Sequence, residues 1–368
     1  MSVNRRSFLF ATPLAARAAA WQDTPKVPTA VIGVGGRGSY LLSGVLQQPG
    51  AKVAMLCDIK PDRLDKAATA AVKDNPATTT DWRKVIANKE VEAVYIATPP
   101  YLHAEMAIAA IHAGKHVYCE KPVGLKPAEI KQLLAAAKAS KKVFVSGQQL
   151  RSMTMLQEVV GKIHDGIIGD IVMVKAQRHA TADLNHDGSS GDWFFDVSKG
   201  GGYLVEQSVH NLDLINWVMN AHPVKATGFG AINFYKNQPE GRTIFDCGSI
   251  VYNYPNNVQM SFTQNVFHPR GMPSGNQYVY VYGTKGAVDL MGAATMYPFG
   301  GGAPVVLAEK RKENQHAHIE MFYAAIAAGK PAPIDATVGA TAALTAILGH
   351  EAMVKQGVVN WSDFGVGI

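Results

Sequence analysis

The chain has 368 residues, enough for two domains rather than one undivided core. Hydrophobic residues make up 47% and charged residues 17%, the balance of an ordinary globular protein and too apolar for a disordered one. The net charge of +6 overstates its basic character: Arg5, Arg6 and Arg17 supply half of it, and no cluster of Lys and Arg interleaved with aromatics points to nucleic acid.

At the N-terminus, Asn4-Arg5-Arg6-Ser7-Phe8-Leu9 sets paired arginines before an apolar stretch, Phe8 to Ala16, and Ala18-Ala19-Ala20 offers a cleavage point. That order predicts a twin-arginine (Tat) export signal over residues 1–20 and a periplasmic mature protein. Past residue 20, no run reads as long enough to cross a bilayer. Three cysteines cannot complete a disulfide framework, and Cys57 and Cys119 read as small buried hydrophobes. No metal site is expected, since His316 and His318, two apart on a helix, point to different faces.

From Val27 the order is strand, glycine turn, helix, strand. Thr29-Ala30-Val31-Ile32 has the continuous apolar character of a parallel strand buried on both faces. Gly33-Val34-Gly35-Gly36-Arg37-Gly38 follows, then a helical stretch from Ser39 to Gln47, then the strand Val53 to Cys57 ending in Asp58. Strand before, helix after and an acid at the next strand's end make the glycine pattern a dinucleotide fingerprint. The Asp58 carboxylate favours NAD by accepting the ribose hydroxyls and repelling a 2′-phosphate; Lys60 and Arg63 leave NADP open. Further α/β units carry Thr98-Pro99, His103, Glu120-Lys121-Pro122 and Gln148-Gln149-Leu150-Arg151 at or beyond strand ends. These loops are expected to converge on one crevice, in a dinucleotide-binding domain over residues 27–150.

After Gly169 the pattern changes to short β-rich runs separated by turns such as Pro255-Asn256-Asn257. Met153–His164 and Val205–Met219 read as helices, so one broad sheet with helices on one face is expected over residues 151–330. A last helix, near Thr341 to Lys355, is expected to pack back on the first domain as part of residues 331–368.

The motifs Ala97-Thr98-Pro99, Ala113-Gly114-Lys115-His116-Val117-Tyr118-Cys119-Glu120-Lys121-Pro122, Gly200-Gly201-Gly202-Tyr203-Leu204 and His210-Asn211-Leu212-Asp213 resemble the glucose–fructose oxidoreductase/inositol dehydrogenase/rhizopine-catabolism family. The resemblance runs from about Thr29 to Gly329. It implies an α/β fold: a doubly wound Rossmann domain followed by an α+β domain with a large, mostly antiparallel open sheet. It also implies an NAD(P)-dependent oxidoreductase acting on a sugar, polyol or glycoside, with its cofactor held by Gly33, Gly35, Gly36, Arg37, Gly38, Asp58, Thr98, Pro99, His103, Glu120, Lys121 and Gln149. Lys121 is implied at the reacting hydroxyl. His210 is the candidate acid/base, because imidazole titrates nearest the working pH. Glu206, four residues earlier, would share a helical face with it and orient the ring or bind a sugar hydroxyl. Many family members carry Asp at that position. Arg151 and Trp193 are further substrate candidates, and Asp213 reads as structural.

Export adds an alternative. A compartment poor in free NAD favours a tightly bound cofactor and redox-neutral chemistry, either hydride exchange between two sugars or glycoside hydrolysis by oxidation, elimination, hydration and reduction. A non-catalytic sugar- or nucleotide-binding protein is the third reading, and Lys121 with His210 speaks against it. A homo-oligomer formed through the second domain's sheet is also expected.

Overall fold

A computed structural model describes residues 26–181, 192–272, 275–309 and 311–368. The expected export signal lies outside the described residues.

The first domain is a six-stranded, fully parallel sheet in the order β3-β2-β1-β4-β5-β6. Its strands are β1 (Val27–Ile32), β2 (Ala51–Cys57), β3 (Ala77–Thr79), β4 (Ala93–Ile96), β5 (His116–Cys119) and β6 (Phe144–Ser146). All four residues of β4 are buried, as a strand covered by helices on both faces requires. The helices are α1 (Gly36–Val45), α2 (Pro61–Ala70), α3 (Trp82–Ala87), α4 (His103–His112) and α5 (Pro127–Ala139). The strand order reverses between β1 and β4, which places the crevice at their carboxyl ends.

Helix α6 (Thr154–His164) leads into the second domain, a nine-stranded sheet in the order β14-β13-β12-β11-β7-β10-β9-β8-β15. Its central strands are β7 (Ile171–His179), β8 (Lys225–Ala231), β9 (Cys247–Asn253), β10 (Gln259–Asn265) and β11 (Gln277–Gly283). β12 (Gly286–Asp289), β13 (Thr295–Pro298), β14 (Val305–Val306) and β15 (Val359–Asn360) extend it. Every pairing is antiparallel except β7 with β10. Alternation is plain along β10, where Met260, Phe262 and Gln264 face the core. The opposite face carries exposed apolar side chains, among them Met173, Phe229, Val251 and Tyr297.

The expected helix Val205–Met219 is two helices, α8 (Gly202–Glu206) and α9 (Val209–Met219), after a short α7 (Val197–Gly200). Between them the Ser208 amide bonds the Tyr203 carbonyl five residues back, at 3.1 Å, while Gln207 bonds the same carbonyl at 2.9 Å. This one-residue bulge in the helical ladder is the kind that recurs at functional sites.

Two C-terminal helices tie the domains together. α10 (Ala317–Ala328) lies inside the expected second domain but packs on the first: Ile319, Phe322 and Tyr323 join Val31, Tyr95 and Tyr118, and the Tyr323 hydroxyl bonds Thr29 Oγ1 at 2.9 Å. The chain thus returns to the first domain one helix earlier than its sequence suggests. α11 (Ala336–Lys355) begins at an Asp335 cap on the Val338 amide and packs against α9, β8 and β9 on one side and α5 and β6 on the other. At Gly339 a Cβ would stand 2.5 Å from Ser146 Oγ, so only glycine permits this approach to β6. A buried hydrogen-bonded chain, Tyr254 to Asn216 (2.7 Å) and Asn216 to Thr345 (2.9 Å), joins sheet, α9 and α11. With 20 apolar-rich residues, α11 is long enough to cross a membrane, contrary to the reading of the sequence, yet it lies mostly buried inside this core.

Burial also sets an acid limit. His116 and His318 are pushed down to about 4, mainly by desolvation, as is His179, where the neighbouring His268 adds to the effect. The folded protein therefore binds fewer protons than the unfolded chain below the ordinary histidine value of 6.5. Stability is expected to be full above that pH and to fall steadily between 6.5 and 4. Melting temperatures measured across this range check it; a flat profile would contradict it.

Candidate active site

The site begins at the glycine turn between β1 and α1. Gly33 has φ +83°, and a Cβ there would stand 2.6 Å from the Ala97 carbonyl oxygen at the end of β4, just before Thr98-Pro99. Open space lies over Gly36. α1 starts with no side-chain cap and no acid in its first turn, so its free N–H groups and positive dipole end suit an anion. Asp58 closes the turn from β2, its Oδ2 accepting from the Val34 amide and its Oδ1 from the Lys60 amide, both at 2.9 Å. Arg63 lies over Gly35, where a Cβ would come 2.9 Å from its Nη1. An open glycine cradle at a helix start, with an acid at the neighbouring strand end, fits a dinucleotide's pyrophosphate and adenosine ribose.

Arg37, Glu120 and Gln149 link three loops. Arg37 Nε donates to Glu120 Oε1 and its Nη2 to Gln149 Oε1, both at 2.7 Å. Burial would raise the Glu120 carboxyl, but Arg37 and Lys121 hold it below its ordinary value. His103 is buried with both ring nitrogens 2.7 Å from carbonyl oxygens, those of Pro122 and Thr98. It pins the loops after β4 and β5 together and has no ring nitrogen left for a cofactor, which corrects its expected role.

Lys121 follows β5 and crosses to the second domain. Its Nζ donates to Glu206 Oε1 at 2.6 Å and also to the Glu206 main-chain oxygen. Gln207 Nε2 holds the other carboxylate oxygen at 2.5 Å. His210, in the first turn of α9, is 8% exposed and its Nδ1 has no hydrogen-bond partner among the described residues. Desolvation, then the charges of Lys121, Arg178 and Arg37, hold its pKa well below the ordinary value. The ring is therefore neutral and able to accept a proton. Glu206 and His210 sit on either side of the bulge, not on one regular helix, and the close charge partner of Glu206 is Lys121.

Two substrate candidates are placed elsewhere. Arg151 forks onto Asp213, with Nε 2.9 Å from Oδ2 and Nη2 2.8 Å from Oδ1, and lies over the Trp217 ring. Its guanidinium is spent holding the segment after β6 to α9. Burial raises the Asp213 carboxyl above its ordinary value while Arg151 pulls it back. Trp193 stands edge-on to Phe194 in a small cluster with Tyr203, Tyr235 and Ile244. It supports the segment before α8.

The residues that sequence reasoning missed form a polar row on the inner face of the second sheet. Gln264 on β10, Arg178 on β7 and Gln277 on β11 are cross-strand neighbours. Arg178 Nη1 donates to Gln277 Oε1 at 2.9 Å and to Asn211 Oδ1 at 3.3 Å, and Nη2 to Gln207 Oε1 at 3.0 Å. The row was legible in alternation: Val174, Ala176, then Arg178, and Met260, Phe262, then Gln264, each replace an apolar core position by a polar one at one end of a strand.

Replacing Arg151 by Met leaves Asp213, 1% exposed, without its counter-charge. Loss of a buried partner costs about 3–5 kcal/mol. Urea unfolding is expected to show that loss; a change under about 1 kcal/mol, the level of an exposed pair, would contradict it.

Known proteins share this architecture. The family description "Oxidoreductase family, NAD-binding Rossmann fold" matches residues 27–148, and "GFO/IDH/MocA C-terminal domain" matches residues 156–289. An uncharacterized oxidoreductase of Streptococcus pneumoniae is 26% identical over 312 residues, covering 82% of this chain and 80% of that protein. The crystal structure of myo-inositol 2-dehydrogenase from Lactobacillus plantarum superposes with a TM-score of 0.75 at 22% identity, covering 91% of this chain and 99% of that one. A levoglucosan dehydrogenase in complex with NADH and levoglucosan gives 0.75 at 21% identity, with the same coverage. The chain belongs to the Gfo/Idh/MocA family of NAD-dependent oxidoreductases.

Proposed function

We propose that this protein transfers hydride to or from a carbon bearing a hydroxyl group on a sugar, polyol or glycoside, with NAD as its tightly held cofactor. The observation that carries the reading is the Lys121–Glu206 contact at the junction of the domains, beside a neutral His210. The solved relative that holds NADH and levoglucosan supports the substrate class.

The residues divide the work. Gly33 to Gly38 and Asp58 hold the dinucleotide, which supplies the hydride acceptor when bound. Both Asp58 oxygens brace backbone amides, and their remaining lone pairs suit ribose hydroxyls, so NAD is favoured over NADP. In the oxidative direction the hydroxyl proton passes to the His210 imidazole. Lys121 donates a hydrogen bond to the substrate oxygen and stabilises negative charge as that proton leaves. Glu206, fixed by Lys121 and Gln207, keeps the ammonium in place and offers a carboxylate to a second hydroxyl. The apolar outer face of the second sheet, with Phe229 and Val251 exposed, suits contact with a second copy of the chain.

A panel of polyols, sugars and glycosides, assayed at 340 nm with NAD, with NADP and with neither added, tests the proposal. NAD is expected to be reduced with at least one member and preferred over NADP, and Asp58→Ala should narrow that preference. His210→Ala should lower turnover roughly 10²–10⁴-fold. Because the pKa of His210 is depressed, the wild-type oxidation rate should keep its plateau as the pH falls past 6.5. No dinucleotide reduction with any member would overturn net oxidation, and product formed from a glycoside with nothing added would assign the redox-neutral route. Near-normal turnover in His210→Ala would remove His210 from the chemistry.

A further inference from the structure

The charges around His210 do not balance. Lys121, Arg178 and Arg37 all act on this ring. Lys121 is paired with Glu206 and Arg37 with Glu120, but Arg178 pairs with no carboxylate among the described residues. Its acceptors are the neutral amide oxygens of Asn211, Gln207 and Gln277, and the buried Tyr203 hydroxyl also lies against it. The amide bonds alone use three of the five guanidinium N–H groups, and Nε has no partner. Asn211 Nδ2 and Gln264 Oε1, on side chains 0% and 3% exposed, are also buried without partners beside it.

A half-buried cation lacking a counter-charge is costly, and hydroxyl groups alone would be served by the amides of this row. The unpartnered Nε of Arg178 and Nδ2 of Asn211, with a guanidinium charge that no carboxylate balances, suit the two oxygens of a planar carboxylate better than a single hydroxyl. Gln207 bridges Arg178 to Glu206, so a group bound at Arg178 lies within the same site as Lys121.

We propose that Arg178 recognises a carboxylate on the substrate, so that the site takes an acidic sugar, a uronic acid or its glycoside, in preference to the neutral sugar of the same stereochemistry. This deepens the hydride-transfer reading and rests on it for the reaction, while the carboxylate contact can be measured by binding alone.

The test pairs each methyl hexuronide with its neutral methyl hexoside, in the gluco, galacto and manno series, with glucose 6-phosphate as a separate anion. Dinucleotide reduction gives kcat/KM, and the shift in melting temperature reports binding whether or not turnover occurs. The acidic member of at least one pair should be favoured by about tenfold or more, and Arg178→Gln should reduce that acid-to-neutral ratio roughly tenfold, to near one, chiefly through KM. Arg178→Lys should retain part of it. A hexuronide-induced melting shift that vanishes in Arg178→Gln, with no turnover of any sugar, would support the carboxylate site and remove the hydride-transfer reading. The proposal is overturned if no hexuronide shifts the melting temperature, if neutral members are favoured in every active pair, or if glucose 6-phosphate binds better than any hexuronide. An equal loss for both members of a pair in Arg178→Gln also overturns it, and would assign Arg178 to positioning Gln207 against Glu206.

Discussion

The structure depends on one ion pair that crosses between its two sheets. Lys121 is delivered by β5 of the parallel sheet, and Glu206 ends a short helix lying on the other sheet. Neither charge would be tolerated in so closed a place without the other: their side chains are 12% and 11% exposed. Positioning them to within a hydrogen bond requires that the domains do not drift. The shared core supplies that rigidity. α11 lies between the sheets, α10 is folded into the first domain, and the Arg151–Asp213 fork ties the segment after β6 to α9. Together they fix the geometry of the site.

Around the pair the protein has arranged charge so that His210 rests unprotonated. His210 is enclosed and surrounded by cations, which makes the protonated ring unfavourable. The same cations would stabilise an oxygen that gains negative charge as its proton leaves. Arg37 and Glu120 extend this field to the glycine turn, so the glycine cradle and the surroundings of Lys121 and His210 are electrostatically continuous. Arg178 adds a positive charge with no carboxylate beside it among the described residues, and for that reason the site bears on what the substrate carries as well as on how it reacts.

Much of this was legible in the sequence, and for physical reasons. A glycine turn between a buried strand and a helix, with Asp58 at the next strand's end, has few structural solutions. The Glu120-Lys121-Pro122 and His210-Asn211-Leu212-Asp213 motifs located both halves of the crevice. What escaped was decided by contacts between residues far apart in the chain. Arg151 looked available because Asp213, its partner 62 residues on, gives no local sign of facing it. His103 looked like a cofactor contact, but its two nitrogens were already claimed by carbonyls of two loops. The bulge at Ser208 breaks a helix whose periodicity reads as continuous. α10 belongs to the first domain because Phe322 and Tyr323 find Tyr95 and Tyr118, and no composition shift marks that crossing.

The most direct measurement of the central claim is a double-mutant cycle on the pair itself, comparing Lys121→Met, Glu206→Gln and the double variant by kcat/KM in the oxidative direction. If Glu206 acts by holding Lys121, the double variant should lose little more than Lys121→Met alone, a strongly non-additive result. Losses that simply multiply would contradict the account, because the two residues would then act independently and the ion pair would not be what organises the site.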